Sequence, residues 1–110
     1  MAKGVFLAWS SPVSADQLGA FDEWYEGTHI PQVRAAVPSI SGVARYELVE
    51  PDADGPSHRY LTVYELDDAD IATAAAAMNE SAAAGKLDLT PAMDLAGRPP
   101  VAQWYRAYPG

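Results

Sequence analysis

The sequence predicts an α+β fold: a four-stranded antiparallel sheet with two helices on one face, in the order β-α-β-β-α-β. Three observations carry this. Four short stretches alternate or run apolar in the way of strands. Two helical stretches separate the first strand from the second and the third from the fourth. The second and third strands are joined by a short turn-rich connection, as a hairpin requires. All 110 residues are expected to form one domain, 1–110, with no repeat or linker.

The first strand is KGVFLAWS, residues 3–10. Val5, Leu7 and Trp9 share one face, Phe6 and Ala8 the other, and both faces are apolar, so burial on two sides is expected. Ser11-Pro12 ends it. Ser14 stands where a helix N-cap belongs, with Asp16 in the first turn and Gln17 three residues on, as in a capping box. The first helix is expected from Ala15 to Thr28 or His29, with Leu18, Phe21, Tyr25, Thr28 and His29 on one face. Pro31 biases Ile30 away from helical geometry, so a stop or kink is predicted there, with room for a further turn before Pro38.

GVARYELVE, 42–50, alternates as a second strand, and PDADGPS leads by a turn into the third, RYLTVYEL, 59–66. Arg45 and Glu47, opposite Tyr46 and Leu48, read as a solvent-facing pair. DDADIATAAAAMNESAAAG is a second helix, with aspartates at its positive end, alanines favouring helix throughout, and Gly85 as its C-terminal cap. Residues 86–100 hold three prolines and a glycine and are expected to form a long loop; VAQWYRAY, 101–108, is the fourth strand.

Composition narrows the function. Seven basic against fifteen acidic residues give a net charge of −8, which repels nucleic-acid backbones and anionic membranes. No cysteine is present, which removes disulfides, thiolate nucleophiles, iron–sulfur clusters and thiolate zinc sites. No apolar run approaches a membrane span, and the apolar part of MAKGVFLAWSSP is too short for a signal peptide, so a cytoplasmic protein is expected. The element order is that of ferredoxin-like folds. With two helices on one sheet face, the other still carries large residues, and a second copy laid against it would complete a barrel; a homodimer follows on packing grounds.

The segment FDEWYEGTHIPQV, 21–33, resembles the helix-end segment of EthD-like proteins and related actinobacterial proteins of the dimeric α/β barrel superfamily. The resemblance rests on Phe21, Trp24, Tyr25, His29 and Pro31, and in element order it spans the chain. It implies the dimeric barrel and an activity from a wide set: cofactor-independent monooxygenases, polyketide cyclases, isomerases, dehydratases or haem-binding enzymes.

His29 is the chief chemical candidate, a group able to exchange protons near neutrality, with the helix C-terminal dipole favouring its protonated form. Tyr25, one turn earlier, is the expected hydroxyl partner, Glu26 lies nearer solvent, and Asp22 is two turns away. The plainer reading is a histidine that caps the last helical carbonyls. Trp24 and Tyr25 suit either core packing or stacking on a flat ligand. Tyr60, Thr62 and Tyr64 share one face of the third strand, and Trp104, Arg106 and Tyr108 one face of the fourth. Their bulky polar-tipped side chains suit a barrel interior, where they would line a ligand cavity; in the opposite phase they are core, and Leu61, Val63, Gln103 and Tyr105 line it. His58 reads as a solvated loop residue. No metal-ligand spacing is present, haem ligation by His29 has no second supporting feature, and no cofactor is expected.

These residues point to a cofactor-free enzyme acting on a small hydrophobic, aromatic or polyketide-like molecule, with His29 and Tyr25 catalytic. Phe21, Trp24, Tyr60, Tyr64, Trp104 and Arg106 would bind the substrate. The alternatives are a non-catalytic small-molecule-binding or accessory homodimer, and a structural dimer with a filled barrel.

Overall fold

A computed structural model describes residues 3–109. Its strands are β1 (Gly4–Ser10), β2 (Ile40–Glu47), β3 (Tyr60–Leu66) and β4 (Val101–Arg106). They form one antiparallel sheet in the order β2-β3-β1-β4, so the predicted element order holds. Helices α1 (Leu18–Trp24), α2 (Ile30–Ala36) and α3 (Ile71–Ala83) contribute to the core on one face of the sheet.

The first helical segment departs from prediction at its start, and near Pro31 it shows an irregularity in place of a stop, with the further turn expected before Pro38 formed as α2. Ser14 is extended and precedes a 3₁₀ turn, Ala15–Gln17, but its hydroxyl makes no capping bond; only its carbonyl accepts, from the Gln17 N–H. Pro31 does not end the helix. Between α1 and α2 the chain widens into a π-helical turn, Tyr25–His29, and Ile30 keeps helical dihedrals of −58° and −47°. The Ile30 N–H reaches back five residues to the Tyr25 carbonyl. A proline inside an α-helix has no N–H to offer and presses on the carbonyl four residues before it. The wider turn relieves both conflicts and places Pro31 in the first turn of α2, where a missing N–H costs nothing.

Helix α3 forms as expected but begins at Ile71, so the aspartates precede it. Asp70 Oδ1 accepts from the Thr73 N–H at 3.1 Å, and Gly85, at φ +74°, closes the helix. The Lys86 and Gly85 N–H groups bond to the Ser81 and Ala82 carbonyls, a Schellman ending that needs a left-handed residue at this point. The 86–100 segment is the expected loop, fastened by an isolated bridge between Pro12 and Met93.

The pleat of the sheet is opposite to the expected one. Phe6, Tyr64 and Leu66 pack with Val33 and Val37 from the helical layer and Ala74 from α3, and Trp104 stacks on Phe6 at 4.2 Å. Tyr60, Thr62, Tyr64 and Trp104 therefore lie between sheet and helices, not on the face open to a second copy. That outer face carries Val5, Leu7, Trp9, Leu61, Val63, Val101 and Tyr105. With Phe6, Tyr64 and Trp104 packed toward the helices, alternation along each strand fixes the face of every other side chain.

Candidate functional site

The first helical segment brings four of the predicted residues together. Phe21 and Tyr25, one turn apart, point at the sheet and are fully buried. Their rings meet edge to face at 5.1 Å, and Tyr60 approaches Phe21 from β3 at 6.0 Å. His29 lies flat on Trp24, ring centres 4.4 Å apart, and edge-on to Tyr25 at 5.1 Å. The π-turn carries His29 a further residue around the helix, so both aromatic contacts are made by one imidazole.

Because the helix continues through His29, the imidazole neither caps carbonyls nor feels a helix C-terminus. Burial governs it instead and lowers its pKa to about 4, so it is neutral at physiological pH. The expected rise in basicity is thus reversed. Its Nδ1 is buried and has no hydrogen-bond partner among the described residues. Nor does Tyr25 pair with it by hydroxyl: the Tyr25 Oη shares a 3.0 Å bond with Ser10 Oγ on β1.

Arg45 is another residue that sequence reasoning placed wrongly. It points toward the helices, with only 16% of its side chain exposed, and bonds to Asp22 Oδ1 at 3.0 Å and Glu26 Oε1 at 3.3 Å. Its guanidinium lies over the Tyr25 ring at 4.6 Å and within 5.9 Å of Phe21 and Tyr60. Planar, weakly hydrated guanidinium suits such an aromatic bed, where a lysine would not. One signal was available: residues 15–29 hold four acidic groups and no lysine or arginine, so a cation had to come from another element. Arg45 Nε, like His29 Nδ1, is buried and unpartnered among the described residues.

Tyr64 completes the group. It is fully buried, and its hydroxyl has no partner among the described residues. Burial pushes its pKa far above the ordinary phenol value, with nearby Tyr25 and Glu26 adding to the rise and Arg45 opposing it. Tyr60 is raised in the same direction, by burial first and then by the Glu47 and Asp22 charges. Trp104 belongs to the adjoining cluster around Phe6. Arg106 is not brought to the site: it is exposed opposite Gly4, six residues along the sheet from the Ser10–Tyr60 pair, or about 20 Å. His58, expected in solvent, is half-buried in a left-handed turn at φ 53°.

The 86–93 segment is fastened beside this cluster. Trp24 Nε1 donates to the Asp88 carbonyl at 3.2 Å, and Gln32 exchanges two bonds with Asp88, donating to Oδ2 and accepting from its N–H. Ala92 is buried against Phe21 and Tyr25. An open cleft of about 800 Å³ lies elsewhere, between α2 and α3, lined mainly by alanines with Gln32, Glu80 and Lys86. Among the described residues, no group of three or more His, Asp or Glu is arranged to hold a metal ion.

Comparison with solved structures matches this architecture end to end. A dimeric ferredoxin-like protein from an uncultured marine organism aligns at TM-score 0.61 with 10% identity, over 98% of this chain and 97% of that one. An EthD-like protein from Ralstonia eutropha JMP134 aligns at 0.54 with 16% identity, over 92% and 88%. The fold is that of the EthD-like, ferredoxin-like proteins. A protein from Shewanella loihica PV-4, provisionally named a monooxygenase, aligns at 0.53 with 20% identity, over 97% and 96%. No family model and no curated protein matches the sequence. No helix among the described residues is long and apolar enough to cross a membrane.

Proposed function

We propose that this chain is a cytoplasmic, cofactor-independent enzyme of small hydrophobic or aromatic metabolites, with His29 as its acid/base group. The observation that carries the reading is a neutral imidazole with an unpartnered ring nitrogen, held between Trp24 and Tyr25. Such a group can take a proton from a carbon beside a carbonyl or from a phenol and return it elsewhere, the common step of cyclases, isomerases, dehydratases and carbanion-type monooxygenases. Tyr25 orients the imidazole with its ring, since its hydroxyl is committed to Ser10. Trp24 and Tyr60, both half-buried, offer the flat apolar surfaces that an aromatic ligand needs. The Shewanella neighbour's name is consistent with the oxygenase member of this set.

A His29→Gln variant tests it on a substrate found by screening enolisable aromatic ketones and polyketide-like phenols. A fall of about 10²–10⁴ in kcat with ligand affinity retained supports the role. Unchanged turnover rejects it. The second reading, a non-catalytic binding or accessory protein, is favoured by the low basicity of His29. It predicts tight binding, independent of pH from 6 to 8, and no turnover.

The active form proposed is a homodimer joined through the outer sheet face. The apolar side chains there and the dimeric name of the marine neighbour support it.

A further inference from the structure

The π-turn holds a carboxylate as well as an imidazole. Glu26 stands three residues before His29, a spacing at which helical side chains of opposite charge pair. A histidine paired in that way keeps its proton and is a poor base. In the fold the pair is not made. Glu26 Oε1 accepts from Arg45 Nη1 at 3.3 Å, and Asp22 Oδ1 accepts from Arg45 Nη2 at 3.0 Å. One guanidinium from β2 gathers both carboxylates to itself.

Arg45 is near enough for this to bear on the imidazole. Its guanidinium carbon lies 4.6 Å from the centre of the Tyr25 ring, and that centre lies 5.1 Å from the centre of the His29 ring. The two ends are therefore within about 10 Å of each other, the reach of a charge in dilute salt. The other titratable groups of the neighbouring elements are engaged, neutral or exposed. Tyr25 shares its hydroxyl with Ser10, and Asp88, beside Trp24, has its carboxylate on Gln32. Tyr60 and Tyr64 on β3 are neutral phenols, held above the ordinary value first by burial. Glu23 on α1, Arg34 on α2, Glu80 on α3 and Lys86 are exposed. Asp22 and Glu26 are thus the carboxylates that loss of the guanidinium would release. Glu26, though largely exposed, already acts on the buried rings, since its charge adds to the rise at Tyr64.

Resting on the acid/base reading of His29 above, we infer that Arg45 is the positioning residue of this site: by holding Glu26 it keeps that carboxylate off the imidazole and leaves His29 free to accept a proton.

The test follows the imidazole ring resonances of the intact protein by NMR as pH is varied, with His58, the other histidine, as internal reference. Arg45→Met, close in size and uncharged, should raise the His29 pKa from about 4 to about 5–6. Adding Glu26→Gln should bring it back to about 4, and Glu26→Gln alone should leave it there. The His58 titration should stay the same throughout. If Arg45→Met does not fold, Arg45→Gln, still able to donate to one carboxylate, is read in the same way. An unchanged His29 pKa on loss of the guanidinium overturns the inference. So does a rise that persists with Glu26→Gln, because loss of the cation by itself then accounts for it. The titration uses no substrate, so its failure leaves the acid/base role of His29 standing, whereas failure of that role shows separately as unchanged turnover in His29→Gln.

Discussion

At the scale of single residues, the site is decided by what each side chain does with its proton. An unfolded histidine titrates near 6.5, whereas His29 in the fold titrates at about 4. The unfolded chain therefore binds a proton that the folded chain refuses, and stability falls as pH drops from 6.5 toward 4. Above 6.5 both states are neutral and the term vanishes. Between pH 7 and 5.5 the loss from His29 alone is about 1 kcal/mol. Urea unfolding at the two pH values should show this loss in the wild type and its removal in His29→Gln; equal losses in both would mean that the imidazole is not buried as described. Arg45 shows how far residue identity alone can mislead. Beside Glu47 on an edge strand it has the look of a solvated charge, yet its guanidinium ties β2 to two turns of the first helical segment.

At the scale of elements, the π-turn places His29 on Trp24, and the 86–93 segment fastens Trp24. The turn exists because Pro31 cannot take part in regular α bonding, and it aligns the imidazole on Trp24. Trp24 in turn is held by the Asp88 carbonyl, and Asp88 by Gln32. Gln32→Ala should free the 86–91 stretch without unfolding the sheet. Amide hydrogen exchange should quicken there, at Asp88 above all, while β1 and β3 keep their protection. Global loss of protection would show instead that the two bonds hold the whole fold. Helix α3 illustrates the opposite case: its alanines and its terminal glycine act locally, so no distant partner had to be known.

At the scale of the whole molecule, the outer sheet face asks for a partner. Tyr46, Val101 and Tyr105 are exposed on it, and Val5, Leu7, Trp9, Leu61 and Val63 are half-buried around them. An apolar surface of this extent is rare on monomers. Light scattering at micromolar concentration should give twice the chain mass, and Val63→Asp, at the middle of β3, should give the single chain mass. A wild type found only as a monomer would remove the proposed dimer. The helix-facing side of the sheet is filled by its own helices, so such a partner would add no residue to the His29 cluster by way of that face.

Strand and helix order, the hairpin, the glycine that ends α3 and the loop after it were written in the sequence by itself, because alternation, capping and turn chemistry act between neighbours. So was the placing of Phe21 and Tyr25 on one helical face, one turn apart, whereas the π-turn sets where His29 stands against them. The tertiary structure decided the rest: which face of the sheet meets the helices, where Arg45 finds its carboxylates, and the protonation of His29. Each of these depends on volume, burial or charge supplied by residues far away in the chain. A two-residue period marks which side chains share a face but carries no sign, and only packing against the helices chooses between the two.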